Sequence, residues 1–106
     1  MKNTLLPLLL IFVFMMISIY GSGDLVGPLT QRDILESFPD WREQMASYVP
    51  IPDAVEKLKA IDYLIRIEVI LGTWCPDSKK HVSAYFKIME MVDNPLIVSS
   101  YIGVPE

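Results

Sequence analysis

The sequence predicts an α/β fold, in which a strand, a helix and a second strand follow a helical N-terminal extension. Residues 63–71 are rich in isoleucine, leucine and valine, with Arg66 and Glu68 alternating between them, which is typical of a strand. Residues 76–92 place apolar side chains at helical spacing, and residues 96–102 form a second apolar run. This βαβ order predicts two parallel strands joined by a right-handed crossover.

The first segment of the chain, residues 1–23, has the pattern of a secretory signal peptide. Lys2 gives a basic start, residues 4–20 are almost continuously apolar, and small residues follow at 21–23. The alternative is an uncleaved membrane anchor, although the apolar run is shorter than the roughly 20 residues of a spanning helix. The pattern predicts export to the periplasm or the extracellular space, with residues 4–20 as a membrane tether if cleavage does not occur.

The second segment, residues 24–61, is expected to be a helical extension after a mobile lead-in that contains Gly27-Pro28. Thr30 and Asp33 have the spacing of a helix cap. The same spacing recurs twice, in Asp40 with Glu43 and in Asp53 with Glu56. It predicts capping boxes for two further helices, which we expect to cover part of the sheet face that the crossover helix leaves open. Trp41 is interpreted as a packing residue.

Composition excludes several classes of function. The 106 residues allow one small domain at most, and the net charge of −4 argues against nucleic-acid binding, which requires a basic face. One cysteine cannot form an internal disulfide, and one cysteine with one histidine supplies too few soft ligands for a metal site. We expect no cofactor and no metal, and His81 is interpreted as a surface residue because the helix turns it away from the cysteine.

The third segment, residues 62–106, contains the candidate site at the end of the first strand. Cys75 is expected to lie between the end of this strand and the start of the following helix. The unpaired N–H groups at a helix start favour the thiolate form of a cysteine. Pro76 suits the first helical position because it has no N–H to lose. Ser78, three residues on, lies on the same side as Cys75 and is expected to donate a hydrogen bond that lowers the thiol pKa.

Three neighbours of Cys75 have smaller expected roles. The carboxylate of Asp77 raises the thiol pKa if it approaches the sulfur, and its simpler role is to satisfy N–H groups at the helix start. Lys79 is expected to offset that charge. Trp74 is expected to shield one side of the sulfur and to offer a flat surface to a bound peptide.

Residues 72–79, with the sequence GTWCPDSK, resemble the active-site segment of the thioredoxin-like superfamily, and exported bacterial members read Gly-Thr-Trp-Cys-x-Asp-Ser-Lys at this site. The resemblance covers residues 62–104. It implies a partial thioredoxin-like fold, Cys75 and Ser78 as catalytic residues, and Trp74 and Pro76 as substrate-binding residues. Ser78 stands where dithiol members have their second cysteine.

The sequence therefore predicts a monothiol thioredoxin-like protein for thiol–disulfide chemistry outside the cytoplasm, with a client protein or a small thiol as partner. The alternative is a non-catalytic thioredoxin-like binding or accessory module, so enzymatic activity stays open. The chain stops before the region where the family has its cis-proline loop and last strands, and we expect a fragment or a truncated product. Two strands would leave a sheet edge open and favour association.

Overall fold

The structure is a computed structural model that describes residues 23–106, and over that range it is a mixed α/β unit. It contains three strands and four helices within the described residues. In chain order these are β1 (Gly27–Leu29), α1 (Gln31–Ser37), α2 (Pro39–Ser47), α3 (Pro52–Lys59), β2 (Ile65–Leu71), α4 (Pro76–Val92) and β3 (Ile97–Gly103). The predicted signal peptide or anchor falls on residues 1–23 and, apart from Gly23, lies outside the described residues.

The sheet has the order β1-β3-β2, so β3 is its central strand. β2 and β3 are parallel, with Ile65 opposite Ile97 and Leu71 opposite Gly103, and α4 connects them. The predicted strand–helix–strand arrangement is therefore confirmed, although β2 begins two residues later than the apolar run. Between residues 23 and 106, no helix combines the length and the apolar character needed to cross a membrane.

The lead-in, expected to be mobile, forms a strand instead. β1 pairs antiparallel with β3, with Gly27 opposite Gly103 and Leu29 opposite Tyr101. Gly27 has a φ of 90°, a conformation that glycine adopts at little cost. Gly103 approaches the backbone of Leu25 so closely that a Cβ at position 103 would meet its carbonyl oxygen. The Gly-Pro pair thus marks a short edge strand rather than a free segment, since an edge strand tolerates proline.

Only one of the three predicted caps is present. The Thr30 side chain accepts a hydrogen bond from Asp33 N–H, and the Asp33 carboxylate accepts one from Thr30 N–H, which completes a capping box. The boxes predicted from Asp40 with Glu43 and from Asp53 with Glu56 are wrong, because α2 and α3 begin at Pro39 and Pro52. A proline at the first helical position has no N–H to satisfy. Phe38 and Ile51 are the N-cap residues before these prolines, and neither makes a side-chain capping hydrogen bond.

All helices lie on one side of the sheet. Along β2, the side chains of Ile65, Ile67, Val69 and Leu71 are more buried than those of Arg66, Glu68 and Ile70 between them. The buried cluster joins both strands to the helices and consists of Ile34, Trp41, Met45, Leu71, Val82, Phe86 and Tyr101. The expectation that the N-terminal helices cover the opposite face is wrong, whereas Trp41, 1% exposed, is the packing residue that was predicted.

The turn between α4 and β3 is fixed by two residues with different tasks. Asp93 ends α4 in the left-handed conformation, with φ 45° and ψ 48°. The side-chain amide of Asn94 donates to the carbonyl oxygens of Leu58 and Ile61, at 3.1 and 2.9 Å, and its oxygen accepts from Leu96 N–H at 2.9 Å. Asn94 therefore ties the end of α3 to the start of β3.

Asp93→Gly is expected to stabilise the chain by about 1 kcal/mol. The substitution relieves a left-handed backbone and removes a negative charge from the carboxyl end of a helix. Asp93→Asn keeps the Cβ and removes only the charge, so it should give a smaller gain, about 0.3–1 kcal/mol. Urea unfolding measures both, with Asp24→Asn as the control because Asp24 is exposed and lies outside the helices. An unchanged free energy of unfolding for Asp93→Gly would contradict the prediction.

Candidate functional site

Cys75 is the N-cap residue of α4, and it lies in the loop that follows the carboxyl end of β2. Its N–H donates to Gly72 O at 3.0 Å, which closes a tight turn, and its carbonyl accepts from Lys79 N–H at 3.0 Å, which opens the helix. Pro76 occupies the first helical position, as predicted. The side chain of Cys75 is half-buried and its thiol is free. The sulfur is thus held at a helix start within reach of solvent.

Ser78 lies on the sulfur side of the first turn and has two contacts. Its Oγ accepts a hydrogen bond from Gly72 N–H at 3.1 Å, which leaves the hydroxyl proton free to point at the thiol. The backbone N–H of Ser78 and then its hydroxyl are the main causes that lower the pKa of the Cys75 thiol. Ser78 therefore stabilises both the loop and the thiolate.

Asp77 acts on the Cys75 thiol in both directions. Its backbone N–H lowers the pKa of Cys75, whereas its carboxylate charge raises it, and partial burial of the sulfur also raises it. The contributions of Ser78 outweigh these two, so the net shift of the Cys75 pKa is downward. The arrangement favours the nucleophilic form of the thiol, which is the reactive species in disulfide exchange.

Trp74 forms a fixed wall beside the loop. Its indole Nε1–H donates to Val104 O at 3.0 Å, and its ring lies over Gly72, where an added Cβ would come within 2.7 Å of the ring. The side chain remains 40% exposed. Trp74 is therefore anchored at its nitrogen to the chain beyond β3 and presents the rest of its surface to solvent, next to Cys75.

A small open pocket of about 110 Å³ lies beside the sulfur. It is lined by Phe38, Asp40, Trp41, Thr73, Trp74, Cys75, Pro76 and Lys79. Both predicted substrate-binding residues, Trp74 and Pro76, thus line the same pocket as Cys75. A larger depression of about 420 Å³ lies on α1 and α2, around Leu35 and Arg42, and includes none of the loop residues, so we assign it no part in the thiol chemistry.

The start of α2 contributes to this pocket, which sequence reasoning missed. Lys79 Nζ lies 3.4 Å from Asp40 Oδ2, so Lys79 pairs with Asp40 on α2, whereas it was expected to offset the charge of Asp77. Both side chains are partly exposed, and an ion pair of this kind contributes little stability. The ion pair joins the start of α2 to the first turn of α4, and Phe38, directly before α2, also lines the pocket.

The lead-in also holds the loop, through Thr73. Its Oγ1 accepts a hydrogen bond from Leu25 N–H at 3.1 Å, and the side chain is 7% exposed. The only signal for this contact in the sequence was a threonine two residues after the end of an apolar strand. Nothing in the sequence marked Val104 or Leu25, because their contacts use backbone atoms.

His81 is exposed on α4, as predicted. Over residues 23–106, no group of three or more histidine, cysteine, aspartate or glutamate side chains is placed to hold a metal ion.

No known protein family matches this chain, and comparisons with curated proteins and with solved structures give no match either.

The rate of alkylation of Cys75 by iodoacetamide is expected to rise with pH around a midpoint below that of a free cysteine. The midpoint is low because the folded state favours the thiolate of Cys75. The same shift links the Cys75 thiol to stability. Its stabilising contribution is present at pH values above the thiol pKa in the unfolded chain, and it is lost as the pH falls through the thiol pKa in the folded chain. Ser78→Ala should move the midpoint up, because it removes one of the two main causes of the shift.

Asp77→Asn is the matched control, since it should move the midpoint down by removing a charge that raises the pKa. Shifts of both variants in the same direction would contradict the assignment of these contributions.

Proposed function

We propose that this chain is a monothiol thioredoxin-like protein that exchanges disulfides through Cys75. The observation that carries the proposal is the position of this cysteine, half-buried at the N-cap of α4, with the N–H and hydroxyl of Ser78 lowering its pKa. A thiolate held in this way is a nucleophile at a lower pH than a free cysteine.

The proposed reaction has two exchange steps. The thiolate of Cys75 attacks one sulfur of a substrate disulfide, so a Cys75–substrate disulfide forms, the substrate S–S bond breaks, and the other substrate sulfur leaves as a thiolate that takes a proton from water. The second step needs another thiol, because the sequence has one cysteine. A low-molecular-weight thiol attacks the substrate sulfur of the mixed disulfide and releases Cys75 as a thiolate.

The thioredoxin-like assignment is supported by where the GTWCPDSK segment lies. The residues that resemble the superfamily motif span the connection between β2 and α4 and the first turn of α4, and β2 and β3 are parallel. In open α/β sheets, ligands and chemistry collect at the carboxyl ends of strands. Cys75 comes four residues after Leu71, the last residue of β2, which agrees with this rule.

The pocket beside Cys75 supports a substrate with a small apolar group next to its disulfide. Phe38, Trp41 and Trp74 supply aromatic walls, and the volume of about 110 Å³ fits one small side chain. Asp40 and Lys79 at the rim carry one charge of each sign. This composition suits a client peptide or a small thiol better than a highly charged ligand.

The proposed location is outside the cytoplasm. It rests on the signal-like pattern of residues 1–23, with a basic start, an apolar stretch and small residues at its end. Disulfides persist in exported compartments, whereas cytosolic thiol systems reduce them, so substrates for Cys75 would be present there.

A binding module without turnover is the second candidate, and the single cysteine favours it. Dithiol proteins use a second cysteine to resolve the mixed disulfide, and Ser78 cannot do so because oxygen does not replace sulfur in the exchange. Such a module would hold its partner in the pocket beside Trp74 without repeated exchange. Turnover in the presence of an added thiol separates the two functions.

The test of the proposed function is exchange between the purified chain and glutathione disulfide. Mass spectrometry should show a glutathione adduct on Cys75, and reduced glutathione should remove it. With reduced glutathione as the releasing thiol, the chain should then catalyse the opening of a model protein disulfide. Cys75→Ser should abolish both steps, and Ser78→Ala should slow adduct formation near neutral pH. A chain whose thiol is ionised but forms no adduct would contradict the proposal and leave the binding module.

Ser78→Cys is expected to create a pair of thiols that closes within one chain. The N-cap residue and the residue three positions on lie on one side of the first turn, which can bring two sulfurs to bonding distance. Mass spectrometry after mild oxidation should show the loss of two hydrogens in a monomer. Ser83→Cys is the control, because Ser83 is fully buried two turns further along α4. A product made only of intermolecular dimers would show that the two side chains diverge.

A further inference from the structure

The outer edge of β2 has no partner strand among residues 23–106, because β2 ends the sheet order β1-β3-β2. Ile65 N–H donates to Leu96 O at 2.8 Å, and Leu71 O accepts from Val104 N–H at 2.9 Å, so both ends of β2 bond toward β3 through odd-numbered residues. In a parallel ladder the backbone groups of alternate residues face the same neighbour. The even-numbered residues of β2 therefore direct their N–H and C=O groups outward.

These outward residues are Arg66, Glu68 and Ile70, and their side chains lie on the uncovered face of the sheet. Arg66 and Glu68 are exposed, and neither is in an ion pair with another described residue. Ile70 is 65% exposed, and Leu64, just before the strand, is 54% exposed. The edge thus offers free backbone groups together with one positive, one negative and two apolar side chains.

We propose that a second copy of this chain pairs with the β2 edge, antiparallel, about a two-fold axis at Ile67. In this register Arg66 of each copy lies opposite Glu68 of the other, and Leu64 of each lies opposite Ile70 of the other. All four are pairs in which outward-facing backbone groups exchange two hydrogen bonds. The two sheets become one sheet of six strands, with the order β1-β3-β2-β2-β3-β1.

Charge complementarity selects this register. A shift of two residues in one direction puts Arg66 opposite Arg66 of the second copy, and a shift in the other direction puts Glu68 opposite Glu68. Directly opposed like charges destabilise an antiparallel pair, whereas opposite charges and apolar pairs stabilise it. Only the register centred on Ile67 opposes unlike charges twice, and a two-fold interface repeats every contact.

The opposite edge of the sheet is a poor place for such pairing. β1 has three residues, Gly27–Leu29, and one of them is Pro28, which has no N–H to donate. β2 has seven residues and contains no proline or glycine. Within the described chain, β2 is therefore the edge that a second strand can follow over its length, and a long unprotected edge tends to associate.

The first test reverses the charges of Arg66 and Glu68. The full chain is expressed and purified after any processing in the cell, and mass spectrometry identifies its N-terminus. Sedimentation equilibrium should show a dimer, and Arg66→Glu or Glu68→Arg alone should weaken dimerisation by about tenfold or more, because each puts two pairs of like charge together. The double variant R66E/E68R should restore the wild-type dissociation constant. Lys80→Glu and Glu43→Arg, at exposed helix positions, are the charge-matched controls.

A mixture of the two single variants provides a sharper form of this test. R66E carries two negative charges at the edge and E68R carries two positive charges, so the mixture should form heterodimers more tightly than either variant forms homodimers. The difference should shrink in 1 M salt, where the screening length is about 3 Å. The proposal would be overturned if the single variants dimerised as tightly as the wild-type chain, or if their mixture showed no preference for heterodimers. It would also be overturned if the wild-type chain stayed monomeric at all concentrations.

Disulfide trapping tests the register independently. In a Cys75→Ser background, Ile67→Cys should cross-link two copies of the chain. In the proposed register the two copies of residue 67 lie opposite each other, with about 4.5 Å between their Cα atoms. Val69→Cys is the matched control, since both residues lie on the helix-covered face and are half-buried. The two copies of Val69 would lie about 13 Å apart, beyond disulfide reach. Efficient cross-linking through position 69, or none through position 67, would overturn the register.

Discussion

Phe86 and Tyr101 pack edge to face, with 5.2 Å between their ring centroids, and this contact joins α4 to the central strand of the sheet. Phe86 is fully buried and Tyr101 is 8% exposed, and the apolar area that they remove from water is worth several kcal/mol. Tyr85 adds a hydrogen bond between its hydroxyl and Ser99 Oγ, at 2.7 Å. Because α4 is held along β3 in this way, its first turn lies at the carboxyl end of β2, where Cys75 begins the helix.

The same packing explains which parts of the fold could be predicted from the sequence. β2 and α4 each carry a one-sided apolar pattern, β3 is an apolar run, and Pro76 marks the start of α4, so both the elements and the place of Cys75 follow from local residues. β1 could not be predicted, because its pairing with β3 joins residues at opposite ends of the described chain. The contact of Lys79 with Asp40 was missed for the same reason, since 39 residues separate the two.

Ser78 couples the reactivity of the site to the geometry of its loop. The hydroxyl of Ser78 accepts a hydrogen bond from Gly72 N–H and also lowers the pKa of the Cys75 thiol. The hydrogen bond that holds the loop therefore also orients the hydroxyl that stabilises the thiolate. Asp77 opposes this through its charge, while its backbone N–H supports it. The balance involves only Cys75, Asp77 and Ser78, which lie within four residues at the helix start. The candidate residues could therefore be named from the sequence, although the pocket walls on α2 could not.

The clamps on the Cys75 loop have a consequence for the order of folding. Leu25, near the beginning of the described chain, bonds to Thr73, and Val104, near its end, bonds to Trp74. Contacts between residues far apart in sequence form late, because closing a long loop costs entropy before the favourable energy of the contact is gained. The loop therefore acquires its final geometry only after Val104 has been synthesised and has reached Trp74. Until then the loop lacks both contacts, so the geometry around Cys75 is a property of the finished fold.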